Sequence, residues 1–341
     1  MLTRIARLAG SPWLRTGMLA LVLACCGYGL YSQWPQVTAG LSRLHWYLAA
    51  LAFAAALAGG SCMMLGWRAV LADLGSPLHV IPAAKISFVS QLGKYLPGAV
   101  WSLAAQIELG HDLGVPRRRT AASFAVSLAI TVGVGLGVAA LALPLASPST
   151  ARHYWWVLAV VPVIAAGLCP PVLGRVIDRI LVLARRQPLE SRPTWGGLSR
   201  AVTWTVAGWI LFGGQVWLVL TSLTGHGGDM LLATGGYALA FCLGLLLVVF
   251  PGGIGARDLI LIAALAVVVP HGTAVAIAVV SRVITTGSDL TCGAVGLALS
   301  RAARRARHGH AAAARDVAGQ AGEHSGALAA RGRLKHNLRS P

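Results

Sequence analysis

Charged residues are scarce in this chain, and acidic residues are the scarcest. Only 11% of the 341 residues are charged, and Asp and Glu together number 10 against 28 Lys and Arg. Hydrophobic residues make up 56% of the chain, and the mean hydropathy is +0.71. These values exclude a soluble globule and a disordered chain, and they leave no room for a soluble catalytic domain. We therefore expect a membrane protein that is not an enzyme.

Recognisable arrangements of reactive side chains are also missing. The six cysteines lie in apolar runs, form no CxxC pair and do not combine with histidine at the spacing of metal ligands. The apolar runs contain no Ser/His, paired-Asp or HExxH arrangement. We expect no metal site, no cofactor and no catalytic residue.

Long uncharged runs predict the architecture. A bilayer core of about 30 Å requires about 20 apolar residues in a helix. We expect an all-α, polytopic helix bundle of about 7 to 9 membrane segments in one domain, residues 1–300, followed by a disordered basic cytoplasmic tail, residues 301–341. Trp46 and Trp67 would mark the ends of one span at the membrane interface. The predicted full crossings are residues 15–34, 44–67, 120–146, 154–173, 201–223 and 273–299.

Two apolar segments are interrupted by proline and glycine. Pro97-Gly98 separates two arms within residues 80–107, each under about 20 Å as helix and too short to cross, which predicts a re-entrant hairpin. Residues 231–269 contain a second break at residues 251–258, and they form either another re-entrant hairpin or one span with a tilted return. Broken segments in corresponding halves indicate an inverted repeat with a binding site at its interface.

The net charge of +18 follows a topological pattern. Arginines concentrate before residue 16, at residues 117–119, between residues 175 and 200, and after residue 300, whereas only Arg43 and Arg152 lie in the alternate loops. This positive-inside pattern predicts that both termini are cytoplasmic. The amphipathic segment 175–186 would lie on the cytoplasmic surface, either as a simple loop helix or as a lipid-recognition element. We expect contacts with anionic lipid head groups there, and no nucleic acid partner.

Several ionisable residues lie near the breaks or inside the predicted spans. A charge at membrane depth costs several kcal/mol unless it is paired or hydrated, so such residues are candidates for function. The set contains four cations and three acids, which suits a ligand that carries a phosphate. Its members are Lys85, Lys94, Glu108, Arg257, Asp258, Arg282 and Asp289.

Each candidate element also allows a structural interpretation. The backbone N–H groups of Gly252, Gly253 and Gly255 would form an anion-binding concavity at a helix N-terminus. Alternatively, Asp258 only complements the dipole of its own helix while Arg257 extends to the interface. Arg282 and Asp289 lie on one helix face about 10 Å apart, too far to pair with each other, so each must meet another helix or water. Two suitable pairs are Asp258 with Arg282 and Lys94 with Asp289, either as a switchable contact or as a network that only stabilises the bundle.

The two breaks carry motifs that resemble a known family. Lys94-Tyr95-Leu96-Pro97-Gly98 with Trp101, and Pro251-Gly252-Gly253-Ile254-Gly255 with Arg257-Asp258, resemble the signatures of the lysylphosphatidylglycerol synthase transmembrane (flippase-like) family. Those signatures read approximately K-Y/F-L-P-G and P-G-G-L-G-x-R-E, so Asp258 stands where Glu is usual. Bifunctional members carry a large aminoacyl-transfer domain after the membrane region. Because only the tail follows here, the resemblance implies the flippase-like half without lysyl transfer.

These observations lead to one expected function and one alternative. The expected function is a multi-pass lipid flippase of the bacterial inner membrane, acting on a phospholipid or a polyprenyl-phosphate glycolipid. The alternative is a non-transporting subunit that binds lipid or supports a glycosyltransferase in cell-envelope synthesis. The expected substrate-binding residues are Lys94, Tyr95, Pro97, Gly98, Trp101, Glu108, Gly252, Gly253, Gly255, Arg257, Asp258, Arg282 and Asp289.

The charge pattern yields a topological prediction. Reporter fusions after Arg119 and Gln187 should report the cytoplasm, and fusions at Ser149 and Gly227 should report the outside, because arginine-rich loops remain on the cytoplasmic side. Paired phosphatase and fluorescent-protein reporters measure both signals. A periplasmic signal from the Arg119 fusion would exclude the first re-entrant hairpin.

Overall fold

Helices are the only regular elements in the part of the chain that the structure describes. This computed structural model describes residues 45–95, 100–146, 158–183, 192–225, 227, 229–246 and 255–299. The helices are α1 Trp46–Asp73, α2 Val80–Gln91, a 3-10 turn Leu92–Tyr95, α3 Val100–His111, α4 Arg117–Leu145, α5 Val160–Leu168, α6 Pro170–Leu183, α7 Trp195–Thr224, α8 Met230–Leu246, α9 Ala256–Leu265 and α10 His271–Leu299. The predicted all-α, multi-span class is confirmed.

Four of these helices, α1, α4, α7 and α10, are long and apolar enough to cross a membrane. They contain 28 to 30 residues each, or about 42 to 45 Å of helix, which exceeds a bilayer core of about 30 Å. The described residues up to Gly296 form one compact unit, and a second unit begins at Leu297. The predicted crossing 15–34 and the predicted tail 301–341 lie outside the described residues, so they stay predictions.

Helices α1 and α7 form the most extensive helix pair in the described structure. Small residues allow their backbones to approach: a Cβ atom on Gly66 would lie 3.1 Å from Thr205 Oγ1, and one on Gly208 would lie 3.3 Å from the Gly59 carbonyl oxygen. Asp73 at the end of α1 accepts hydrogen bonds from the backbone N–H (2.7 Å) and the hydroxyl (2.6 Å) of Thr194, the N-cap of α7. The two helices are therefore fixed to each other along one seam and at one end.

Both interrupted segments form pairs of short packed helices. In the first hairpin, α2 and α3 contain 12 residues each, or about 18 Å. In the second, α8 contains 17 residues (about 25 Å) and α9 contains 10 (about 15 Å). Each arm of the first hairpin is shorter than a core of about 30 Å, as the sequence predicts. The connecting residues 96–99 and 247–254 lie outside the described residues.

Two local features of the structure differ from the simplest form of the predictions. The predicted crossing 154–173 is not one continuous helix, because α5 ends at Leu168 and α6 begins at Pro170 after an extended Cys169 (φ −57°, ψ 138°). A residue before proline is driven out of the helical region, which explains the break. Trp67 does not end its helix, because α1 continues to Asp73, and its side chain is buried at 5% exposure, with Nε1 donating to the Ser123 hydroxyl at 3.2 Å. Trp46 is 81% exposed.

The first hairpin depends on a glycine at position 93. A Cβ atom there would lie 2.7 Å from the Ser102 backbone nitrogen and 2.9 Å from its Cα, and backbone atoms cannot move aside as a flexible side chain can. Gly93→Ala should therefore lower the free energy of unfolding by about 1 to 3 kcal/mol. Thermal unfolding in detergent measures the change.

The matched control for that variant is Gly137→Ala in α4. A Cβ atom on Gly137 would meet nothing within 4 Å, so this variant should be neutral or stabilising by up to about 1 kcal/mol. If Gly93→Ala and Gly137→Ala lowered the free energy of unfolding equally, the result would contradict the close approach of the two hairpin arms.

Candidate functional site

Helix α10 carries two charges that contact the two hairpins separately. Asp289 Oδ2 lies 2.7 Å from Lys94 Nζ of the first hairpin, and Arg282 Nη1 lies 3.7 Å from Asp258 Oδ1 of the second. The polarity is reversed between the two contacts: the first hairpin supplies a cation to α10, and the second supplies an acid. Both pairs suggested by the sequence are therefore present, and α10 connects the two broken segments through ion pairs of opposite sense.

The first contact is a three-residue cluster of Lys94, Tyr95 and Asp289. The Tyr95 hydroxyl donates to Asp289 Oδ2 at 2.5 Å, so the carboxylate accepts from two neighbours in the 3-10 turn. Lys94 Nζ also lies 5.4 Å from the centroid of the Tyr95 ring. The Lys94 and Asp289 side chains keep 32% and 21% of their surface exposed, so solvent or a ligand can reach the pair.

Close helix packing brings Asp289 to this turn. A Cβ atom on Gly293, one helical turn beyond Asp289, would lie 2.7 Å from Leu92 Cδ1 at the start of the 3-10 turn. The missing side chain allows α10 to run directly along the first hairpin. Asp289 consequently meets Lys94 and Tyr95, which follow Leu92 in the same turn.

The second contact combines a helix cap with an ion pair. Asp258 Oδ2 accepts from the backbone N–H of Gly255, the N-cap of α9, at 3.3 Å, while Oδ1 faces Arg282. Gly255 has φ 88°, a left-handed conformation that favours glycine. Asp258 thus complements the positive end of its own helix and contacts α10 as well. Asp258 therefore does more than complement its own helix, because it also pairs with Arg282 of α10.

Arg257 lies over aromatic rings of α8. Its Cζ is 4.6 Å from the centroid of Tyr237 and 5.2 Å from that of Phe241, within the range of a cation–π interaction. Tyr237 is 2% exposed, so this contact faces the interior and does not fit the alternative in which Arg257 extends to the interface. Neither ring is predicted from the sequence, in which their signal is limited to the i, i+4 spacing on one face of α8.

The site carries one surplus positive charge. Lys94, Arg257 and Arg282 provide three cations, and Asp258 and Asp289 provide two carboxylates. The two salt bridges use Lys94 and Arg282, and within the described ranges Arg257 forms no salt bridge. Arg257 is therefore the cation whose charge no described acid balances at short range.

A buried polar row positions α10 against α7. The Ser281 hydroxyl donates to Gln215 Oε1 at 3.0 Å, and both residues are fully buried. Ser288, also buried, donates to the Thr285 carbonyl in the next turns of α10. The Ser281–Gln215 bond joins α10 to α7, while Arg282 and Asp289 of the same helix reach the two hairpins.

A family model described as the lysylphosphatidylglycerol synthase TM region matches residues 17–307. The chain belongs to this family. A search of curated proteins found no match. The match covers all of the helices described above, and with their apolar composition it identifies a multi-pass membrane protein of the lysylphosphatidylglycerol synthase TM family.

The other predicted site residues lie apart from this centre or outside the described residues. Glu108 pairs with Arg117 at 3.3 Å, and both side chains are more than half exposed at the corner between α3 and α4. Trp101 lies partly buried in the first turn of α3, where its backbone contacts Gly93. Among the described residues no cluster of three His, Cys, Asp or Glu forms a metal site. The predicted residues Pro97, Gly98, Gly252 and Gly253 lie outside the described residues.

The Lys94–Asp289 pair yields a stability prediction. Lys94→Met or Asp289→Asn alone should lower the free energy of unfolding by about 1 to 3 kcal/mol, since each leaves a partly buried charge without its partner. The double variant should recover most of that loss. Chemical or thermal unfolding of the purified protein measures all three.

The exposed pair Glu108 and Arg117 provides the control. Glu108→Gln and Arg117→Gln should each change stability by less than about 1 kcal/mol, because exposed ion pairs contribute little. Additive losses in the Lys94 and Asp289 double variant would show that these two residues are not energetically coupled.

Proposed function

We propose that this protein is a lipid flippase that binds a phosphate-bearing lipid head group between its two broken hairpins. The observation that carries the proposal is the position of Arg257. It is a partly buried surplus cation beside two ion pairs through which α10 contacts both hairpins. A charge kept without a short-range acid at membrane depth is costly unless a ligand compensates it.

The chemistry around Arg257 suits a phosphate. A guanidinium offers several N–H donors in a planar fork that matches phosphate oxygens, and a Lys ammonium adds a compact point charge. Arg257 lies in the first turn of α9, where the helix dipole is positive and backbone N–H groups lack partners within the helix.

The two ion pairs provide contacts that a ligand can exchange. A phosphate oxygen can replace Asp289 at Lys94 or Asp258 at Arg282, because both pairs are only partly buried. Each exchange releases one hairpin from α10 while the lipid chains remain in the bilayer. Binding energy would then shift the balance between two arrangements of the hairpins, as alternating access requires.

The membrane setting belongs to the same proposal. The protein would lie in the bacterial inner membrane with both termini in the cytoplasm and would transport lipid without enzymatic chemistry. Arg175 and Arg179 of α6 are exposed and would contact anionic head groups at the cytoplasmic face. The alternative, a non-transporting subunit that binds lipid or supports a glycosyltransferase, is favoured by the fact that the two ion pairs already satisfy four of the five charges without a ligand.

The proposal predicts a loss of head-group binding when its cations are removed. Lys94→Met and Arg257→Gln should each weaken binding of a short-chain phosphatidylglycerol or a short-chain prenyl phosphate by about 1 to 3 kcal/mol, the range for a charge-assisted hydrogen bond. Titration of the detergent-solubilised protein measures the affinity. Arg200→Gln, which removes an exposed cation from α7, should leave it unchanged.

An assay of lipid movement between the two leaflets of a vesicle distinguishes the proposed flippase from the non-transporting alternative. In reconstituted vesicles the wild-type protein should move a fluorescent phospholipid between leaflets, whereas the stable double variant Lys94→Met/Asp289→Asn should not, because it lacks the exchangeable contact. Full translocation by the double variant would leave this pair with a structural role only. Binding without translocation by the wild-type protein would favour the alternative function.

A further inference from the structure

One face of α8 forms a surface on which Arg257 rests. Tyr237, Phe241 and Gly244 follow one another at i, i+4 and i+7, so they share a helix face. The two rings lie under the guanidinium, and a Cβ atom on Gly244 would lie 2.9 Å from Arg257 Cβ. The glycine therefore allows the first turn of α9 to approach α8 closely enough for Arg257 to reach both rings. We call Tyr237 and Phe241 the aromatic platform.

The aromatic platform is anchored in the bundle. Trp209 of α7 contacts both of its rings edge-on, with centroid distances of 6.3 Å to Tyr237 and 5.3 Å to Phe241. Trp209 is 1% exposed, and its Nε1 donates to the Thr131 carbonyl of α4 at 3.2 Å. Helices α4 and α7 thus fix the rings, and the rings fix the position of the guanidinium.

A contact with aromatic rings orders the Arg257 side chain in a different way from a salt bridge with a carboxylate. A free arginine side chain carries about 2 kcal/mol of rotamer entropy, which a ligand must overcome when it orders the side chain. A carboxylate would order Arg257 but would also take up its donors and its charge. An aromatic face attracts the cation mainly through the ring quadrupole, and it leaves N–H donors for an incoming oxygen.

We infer that Tyr237 and Phe241 are positioning residues that preorganise Arg257 for the phosphate of the lipid head group. This inference rests on the proposed function, because it specifies how one cation of that site is held. The inference also requires arginine at position 257. A lysine there would offer a single point charge to both the rings and the phosphate, whereas the planar guanidinium offers several N–H donors. The competing explanation is that the rings only fill the core.

The two explanations predict different affinities for variants with similar packing defects. Tyr237→Leu and Phe241→Leu should weaken binding of short-chain phosphatidylglycerol or short-chain prenyl phosphate about tenfold, which corresponds to about 1.4 kcal/mol. Tyr237→Phe keeps the ring and should bind within about twofold of the wild type. Phe212→Leu is the matched control: Phe212 stacks on Tyr237 (5.6 Å, 22°) and is not one of the two rings under Arg257.

A double-variant comparison shows whether the rings act through Arg257. In an Arg257→Gln background, Phe241→Leu should cause no further loss of affinity, because the group that it positions is already absent. Thermal unfolding of every variant is measured in parallel. Affinity losses that follow thermal stability across the series, with Phe212→Leu as weak a binder as Phe241→Leu, would overturn the inference.

The outcomes separate this inference from the function on which it rests. If Arg257→Gln binds both lipid probes as tightly as the wild type does, or if the wild type binds neither, the proposed phosphate site is wrong and the platform has no role in it. If Arg257→Gln loses binding but the ring variants do not, the site stands and the inference fails. Inorganic phosphate is a third probe: binding as tight as that of the lipid probes would identify a free phosphate site and would overturn the lipid assignment.

Discussion

The cost of placing charge where lipid replaces water constrains the whole site. Five ionisable residues meet around α10 and the two hairpin ends, and each needs an opposite charge, a ring face or solvent to remain ionised there. Two ion pairs satisfy four of these residues, and the fifth, Arg257, lies over two aromatic rings. Because each ion pair joins α10 to a different hairpin, the same interactions that make the charges tolerable also determine which helices lie together.

Much of this arrangement could be predicted from the sequence. Hydropathy and helix length are local properties, so the apolar spans and the short interrupted segments follow from counting residues against the thickness of a bilayer. Even the pairing of Lys94 with Asp289, and of Asp258 with Arg282, was among the suggested contacts, because few charges exist in the spans and opposite signs must meet.

The parts that could not be predicted depend on tertiary packing. The sequence does not single out Tyr237 or Phe241, and only the return of α9 along α8 shows that Arg257 lies over both rings. Trp67 was assigned to an interface from its place near the end of an apolar run, but α1 continues past it in the structure. Glu108 was grouped with the site by its charge, whereas α3 carries it to an exposed corner beside Arg117.

The contact between α1 and α7 has a consequence for the order in which the protein is synthesised and assembled. Asp73 and Thr194 are 121 residues apart in the chain. At about 5 to 20 residues per second, a ribosome needs about 6 to 24 s to make that stretch. During this interval α1 lies without α7 against its glycine seam, and the Asp73 carboxylate lacks its two hydrogen bonds from Thr194. The most extensive helix pair among the described residues therefore forms late, after α2 to α6 have been synthesised between its two members.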